Sequence, residues 1–152
     1  LNFPSRMPKK IKLPSLLQQS INISPVYVFK ARDYVLIYDS EYDIKNITIN
    51  RVPFDQLSLG AGGVIVTSEG DSCDFVSRFF TPKASILEDP VTGSAHCSLI
   101  PFWAERLKKQ KMLAKQLSLK GGTLYCKNLS QIFLSPMKYG PLRQHLSGSI
   151  GS

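Results

Sequence analysis

One run of eleven residues, Leu87-Glu88-Asp89-Pro90-Val91-Thr92-Gly93-Ser94-Ala95-His96-Cys97, gathers groups that can hold an anion and move a proton. Two acids precede a proline. A hydroxyl residue, a glycine, a serine and an alanine follow, at the threshold of an apolar segment that the pattern predicts as a helix from about Thr92 to Lys109. Free backbone N–H groups at a helix start, together with the positive end of the macrodipole, bind a carboxylate or phosphate. Gly93 has no Cβ and admits a ligand close to the backbone. The Ser94 hydroxyl can donate to the same anion. Asp89, next to Pro90, would stand at the ligand's other edge as an acid, a base or an orienting acceptor.

The same residues have a plainer explanation. Asp or Thr before a helix is commonly an N-cap, and Gly-Ser commonly permits a tight entry. From spacing alone the cap is the commoner reading and the ligand site the sharper one. His96 has two readings as well: a proton relay or anion contact, or a partly buried, hydrogen-bonded side chain. Cys97 and Trp103 read as core. Cys73 follows a polar turn and could be exposed, with nothing nearby to lower its pKa.

Other chemistries find little support. The G-x-x-x-x-G-K-[ST] phosphate loop is absent, and Gly60-Ala61-Gly62-Gly63 misses the G-x-G-x-x-G spacing and reads as a turn. Two histidines, His96 and His145, exclude a histidine-rich metal site and leave a Ser-His-Asp triad few ways to form. Three cysteines without a C-x-x-C argue against a disulfide framework or a zinc site. They fit a reducing compartment, so a cytoplasmic location is expected.

The elements that must position this segment fit one domain. The chain has 152 residues, 43% hydrophobic and 20% charged, as a globular core requires. No apolar stretch reaches the ~20 residues of a membrane helix, and no secretory leader is visible. The first residue is Leu1, so either the start was processed or the chain is a piece of something longer. The net charge of +8 suggests nucleic acid or an acidic partner at first sight. Its clusters, Arg6 to Lys12 and Arg106 to Lys115, are short, and no aromatics interleave with the second. A solvated basic face is therefore the expected reading, and nucleic acid is not an expected partner.

A short helix is expected over 14–20, strands over 26–29, 33–38, 64–67 and 74–80, and a mixture of short helix and loop over 39–59. The helix over 92–109 is apolar nearly all round in its first three turns, the mark of a buried helix, and Pro101 should kink or split it. Further strands are expected over 116–119, 123–127 and 131–135. The tail 136–152 reads as frayed. The class is α+β, with a curved, mostly antiparallel sheet wrapped around one central buried helix and one or two short helices outside.

The central run, followed by Pro101-Phe102-Trp103, resembles the signature of the PhzF-like family of phenazine-biosynthesis isomerases, which have the diaminopimelate epimerase-like fold. Leu1-Asn2-Phe3-Pro4, Arg78-Phe79-Phe80-Thr81-Pro82, Gly121-Gly122-Thr123-Leu124-Tyr125 and Ile132-Phe133-Leu134-Ser135 are similar to other parts of that family. The resemblance implies a single lobe over 1–152, matching the C-terminal half of a two-lobe protein. It implies a cofactor-independent isomerase or epimerase of a small carboxylate-bearing metabolite, working by acid/base proton transfer without cofactor or metal. Asp89 then matches the family's acidic residue in this lobe, which orients substrate and assists proton movement, and Gly93 and Ser94 match positions that bind the substrate; the Ala95 amide, and His96 as a minor candidate, join them by their place at the helix start. A serine at 94, where related amino-acid epimerases carry a cysteine, argues against two-thiol racemisation. The family's principal glutamate and a second Gly-His motif belong to the other lobe and have no counterpart here. Activity thus requires the N-terminal lobe or a second copy, with a dimer expected. The alternative is a non-catalytic truncated lobe serving as a binding module.

Overall fold

A computed structural model describes residues 8–60, 62–89, 95–118 and 121–127; the strand expected over 131–135 and the tail lie outside them. The elements in chain order are β1 (Lys9–Lys10), α1 (Ser15–Ser20), β2 (Tyr27–Lys30), β3 (Tyr34–Ile37), α2 (Glu41–Lys45), α3 (Arg51–Phe54), β4 (Val64–Glu69), β5 (Phe75–Phe80), β6 (Glu88–Asp89), α4 (His96–Leu107), β7 (Lys111–Gln116) and β8 (Gly122–Lys127). One mixed sheet runs β1-β2-β3-β4-β5-β7-β8, with β6 added to β5. The α+β class holds, and most of the pairings are antiparallel; β3–β4 and β5–β7 are the parallel ones.

Alternation along each strand divides the core into two layers. Val35, Ile37, Ile65, Phe75 and Phe79 face α4 and pack on Leu99, Phe102 and Trp103. The residues between them, Leu36, Val64, Val66, Val76 and Phe80, face the other way onto Leu17 of α1, Ile44 of α2 and Phe54 of α3. Among the described residues the sheet therefore has an inner face under one long helix and an outer face under three short ones, not one or two.

Topology explains this division. The chain crosses from β3 to its parallel neighbour β4 through α2 and α3 on the outer face. It crosses from β5 to its parallel neighbour β7 through α4 on the inner face. Both steps move the same way across the sheet, but the antiparallel β4–β5 pair reverses strand direction between them. Placing the helices on opposite faces gives both crossovers the same hand, as the strong preference for right-handed crossovers demands.

Two expectations change in the second half. The helix is continuous through Pro101 and is not split. It ends sooner than expected, because Lys108 takes a left-handed conformation (φ 58°) and its N–H closes onto the Ala104 carbonyl. The next strand begins at Lys111 rather than 116. Lys111-Met112-Leu113-Ala114-Lys115-Gln116 alternates, with Met112, Ala114 and Gln116 buried. The lysines hid a period-two pattern that only the buried positions reveal. The glycine turn is a connector: a Cβ at Gly63 would lie 2.5 Å from the Phe79 ring, and the Gly63 N–H donates to buried Asp33 at 2.8 Å.

Candidate functional site

The approach to the eleven-residue run is held by charge. β6 pairs antiparallel with the end of β5, Glu88 opposite Phe80 and Asp89 opposite Phe79. Arg78, on the outer face of β5, donates from Nε and Nη2 to the two Glu88 carboxylate oxygens, each at 2.8 Å. Its Nη1 donates to the carbonyls of Ile44 and Ile47, both at 2.9 Å, at the end of α2. A two-pronged ion pair of this kind fixes direction as well as distance. Glu88 is thereby engaged, consistent with its being no substitute for a free catalytic glutamate. The loop before β6 is strapped to α3: Arg51 donates to the Ala84 carbonyl at 2.6 Å, and Asp55 accepts from the Lys83 N–H at 2.7 Å. That backbone N–H, followed by the Arg51 guanidinium, holds the Asp55 carboxyl below the usual range. The Thr81 N–H closes the loop onto the Leu87 carbonyl.

The far side of the run is held by packing. Ala95 and His96 open α4, both almost fully buried. The His96 ring lies 5.9 Å from that of Phe75. Its plainer reading anticipated partial burial, and the ring is buried more completely than that. Further along, the Trp103 ring stacks on Phe75 at 5.9 Å and 10°, and its Nε1 donates to Thr67 Oγ1 at 3.0 Å. Thr67 in turn donates to the Val76 carbonyl at 2.6 Å. The helix is thus pinned to β4 and β5 by a polar contact inside an apolar layer. Cys97 and Trp103 are core, as expected. Cys73 is half-buried, and burial raises its thiol pKa.

Of the anticipated site residues, the structure places the backbone of Asp89 in β6 and brings Ala95 and His96 to the first turn of α4. Gly93 and Ser94, with Pro90 to Thr92, lie outside the described residues. Among the described residues, no three of His, Cys, Asp and Glu stand together as a metal would need. A groove of about 410 Å³ lies at the opposite end of α4, lined by Pro8, Phe29, Phe102, Glu105, Arg106 and Lys108, away from Ala95 and His96. Sequence reasoning missed Arg78 as the positioning group. The signal was there: a lone charge in the otherwise uncharged strand Phe75-Val76-Ser77-Arg78-Phe79-Phe80, ten residues before a glutamate.

No helix among the described residues is long and apolar enough to cross a membrane. Residues 8–131 match the family model described as phenazine biosynthesis-like protein. The chain is 44% identical over 129 residues to an uncharacterized isomerase of Pseudomonas aeruginosa, covering 84% of this chain and 48% of the relative. It is 41% identical over 151 residues to an uncharacterized isomerase of Halalkalibacterium halodurans, covering 96% and 56%. Among solved structures it resembles a PhzF-family protein of Enterococcus faecalis, with a TM-score of 0.76 and 40% identity over 82% of this chain and 48% of that one. The chain spans about half the length of the curated relatives it matches.

Proposed function

The chain belongs to the phenazine biosynthesis-like protein family, and from that premise we propose that it supplies one half of the active site of a cofactor-independent isomerase or epimerase. The substrate is a small carboxylate-bearing metabolite, and the reaction moves a proton between two positions on it. The observation that carries this reading is the clamp on Glu88. Arg78 draws Glu88 to the outer face and so takes it out of the chemistry, and position 89 of β6 is in register with Phe79, a residue of the layer under α4. Asp89 then assists proton transfer beside the helix entry.

The amides of Gly93, Ser94 and Ala95 hold the substrate carboxylate at the positive end of a twelve-residue helix, and His96 contributes a secondary contact. Positioned amides and an acid/base pair can together supply most of the barrier reduction a proton shift needs. The principal base comes from the N-terminal lobe of the same protein or from a second copy. The location is cytoplasmic.

The test is proton exchange. A protein of the relatives' full length is incubated in D₂O with a panel of small amino, hydroxy and unsaturated acids, and deuterium uptake at carbon is followed by mass spectrometry. Exchange into at least one acid is expected, falling by about 10²-fold or more in Asp89→Asn. Undiminished exchange would remove Asp89 from the mechanism.

A further inference from the structure

Charge is distributed along this chain in a way the isomerase reading does not use. All 11 acidic residues lie between Asp33 and Glu105. Residues 1–105 carry 10 Lys or Arg against those 11 acids, whereas residues 106–152 carry nine and no acid at all. The entire +8 surplus is therefore made after Glu105. A polarity this sharp is one that a polyanion partner could use.

The fold gives part of that charge a shape. In the β7–β8 hairpin Lys111 lies opposite Lys127, Leu113 opposite Tyr125 and Lys115 opposite Thr123. Directly opposite residues share a face, and the alternate residues Met112, Ala114 and Cys126 are buried in the inner layer. The other face thus presents Tyr125, which is 88% exposed, with Lys111 and Lys127 on one side of it along the hairpin and Lys115 on the other. Lys115, one pair further along, leans toward β5, its Nζ donating to the Ser72 hydroxyl at 3.1 Å. The aromatic that is missing from the linear Arg106–Lys115 cluster is brought into it by strand pairing. Two lysines directly opposite one another repel, at a cost that a bound anion would remove. A lone ring standing out of a sheet among cations is a platform for a base, with phosphates reached by the lysines on either side.

We propose that the outer face of the β7–β8 hairpin binds single-stranded nucleic acid, stacking a base on Tyr125 and neutralising phosphates with Lys111, Lys115 and Lys127. Single strands are favoured over duplex because a stacked base must be free of its partner.

The experiment uses the 152-residue chain with a fluorescein-labelled 15-nucleotide oligothymidine, a duplex of equal length and heparin, read by anisotropy between 50 and 200 mM salt. The expected result is preferential binding of the single strand. Its log affinity should fall with log salt at a slope of about −2, from three phosphate contacts at ~0.7 each. Tyr125→Ala should weaken single-strand binding by at least about 5-fold and leave heparin binding unchanged, while Tyr125→Phe retains it. Lys111→Glu with Lys127→Glu should flatten the slope by more than one unit. Equal affinity for all three polyanions with no effect of Tyr125→Ala would overturn the proposal. Binding that survives the double lysine variant would place the contact in the basic residues after Lys127 and overturn it equally. So would the absence of binding at 50 mM salt. Circular dichroism of each variant confirms that the exposed substitutions leave the fold intact.

Discussion

The two faces of the sheet solve the same problem by opposite means. The inner face is covered by a single twelve-residue helix whose aromatic residues, Phe102 and Trp103, meet Phe75 and Phe79. The outer face is covered by α1, α2 and α3, of six, five and four residues. None of these is long enough to persist by itself in water. Mostly aliphatic side chains, with Phe54 against the sheet, and charged clamps hold them instead: Arg78 to the end of α2, Arg51 and Asp55 between α3 and the loop before β6, and Glu41 to the turn after β4. One layer concentrates its stability in a few large rings, and the other distributes it over many small anchors. The site run begins beside the second layer and ends inside the first.

The contrast is broken most severely at its aromatic centre. Trp103→Ala should cost about 3–5 kcal/mol, because it opens a cavity under Phe75 and strips Thr67 of its donor. Chemical denaturation measures the loss; a cost under 1 kcal/mol would mean that the inner layer repacks freely.

Arg78→Ala should come next, at about 2–3 kcal/mol, since it strands the Glu88 carboxylate and two carbonyls together. Here the comparison can be sharpened, because Trp103 is the sole tryptophan and reports on the inner layer alone. The Tm should fall while the native emission maximum stays where it is. A shifted maximum would show that the layers are not independent.

The smallest effect is expected at Glu41. Its carboxyl is held below the usual range, chiefly by the Asp71 N–H and then by Lys45, against the opposing effect of burial. A lowered folded pKa stabilises above the ordinary glutamate value, and the benefit fades as pH falls through the folded one. Glu41→Gln should therefore lose up to about 1 kcal/mol at neutral pH and converge on the parent chain in acid. A stability difference that persists unchanged at low pH would rule out the carboxylate as its source.

What could be read from the chain follows the same division. β4 and β5 are apolar on both faces, so Val64-Ile65-Val66 and Phe79-Phe80 announce themselves by composition. The buried helix is equally legible, because its first turns are apolar all round. β7 is illegible because two of its six residues are lysines and only its buried positions alternate. The outer helices were blurred because four to six residues are too few to display a 3.6 period. Neither the Arg78–Glu88 clamp nor the meeting of Tyr125 with the lysines could be seen along the line of the sequence. Both are made by strand register, which a linear reading does not contain. For the site itself, Asp89, Ala95 and His96 were named by residue type. The groups that steer them, Arg78 and Thr67, were not.

The bond from Trp103 to Thr67 acts as a fulcrum. It lies seven residues beyond His96, about 10 Å along the helix at 1.5 Å per residue. Tilting α4 by 5° about that point would swing its first turn by about 1 Å, a misplacement that can cost catalysis ~10²-fold. On the proposed reading, one threonine hydroxyl in the depth of the sheet thus sets the aim of a lever whose tip is the mouth of the helix, and a methyl in its place would loosen the aim while leaving every residue at the tip unchanged.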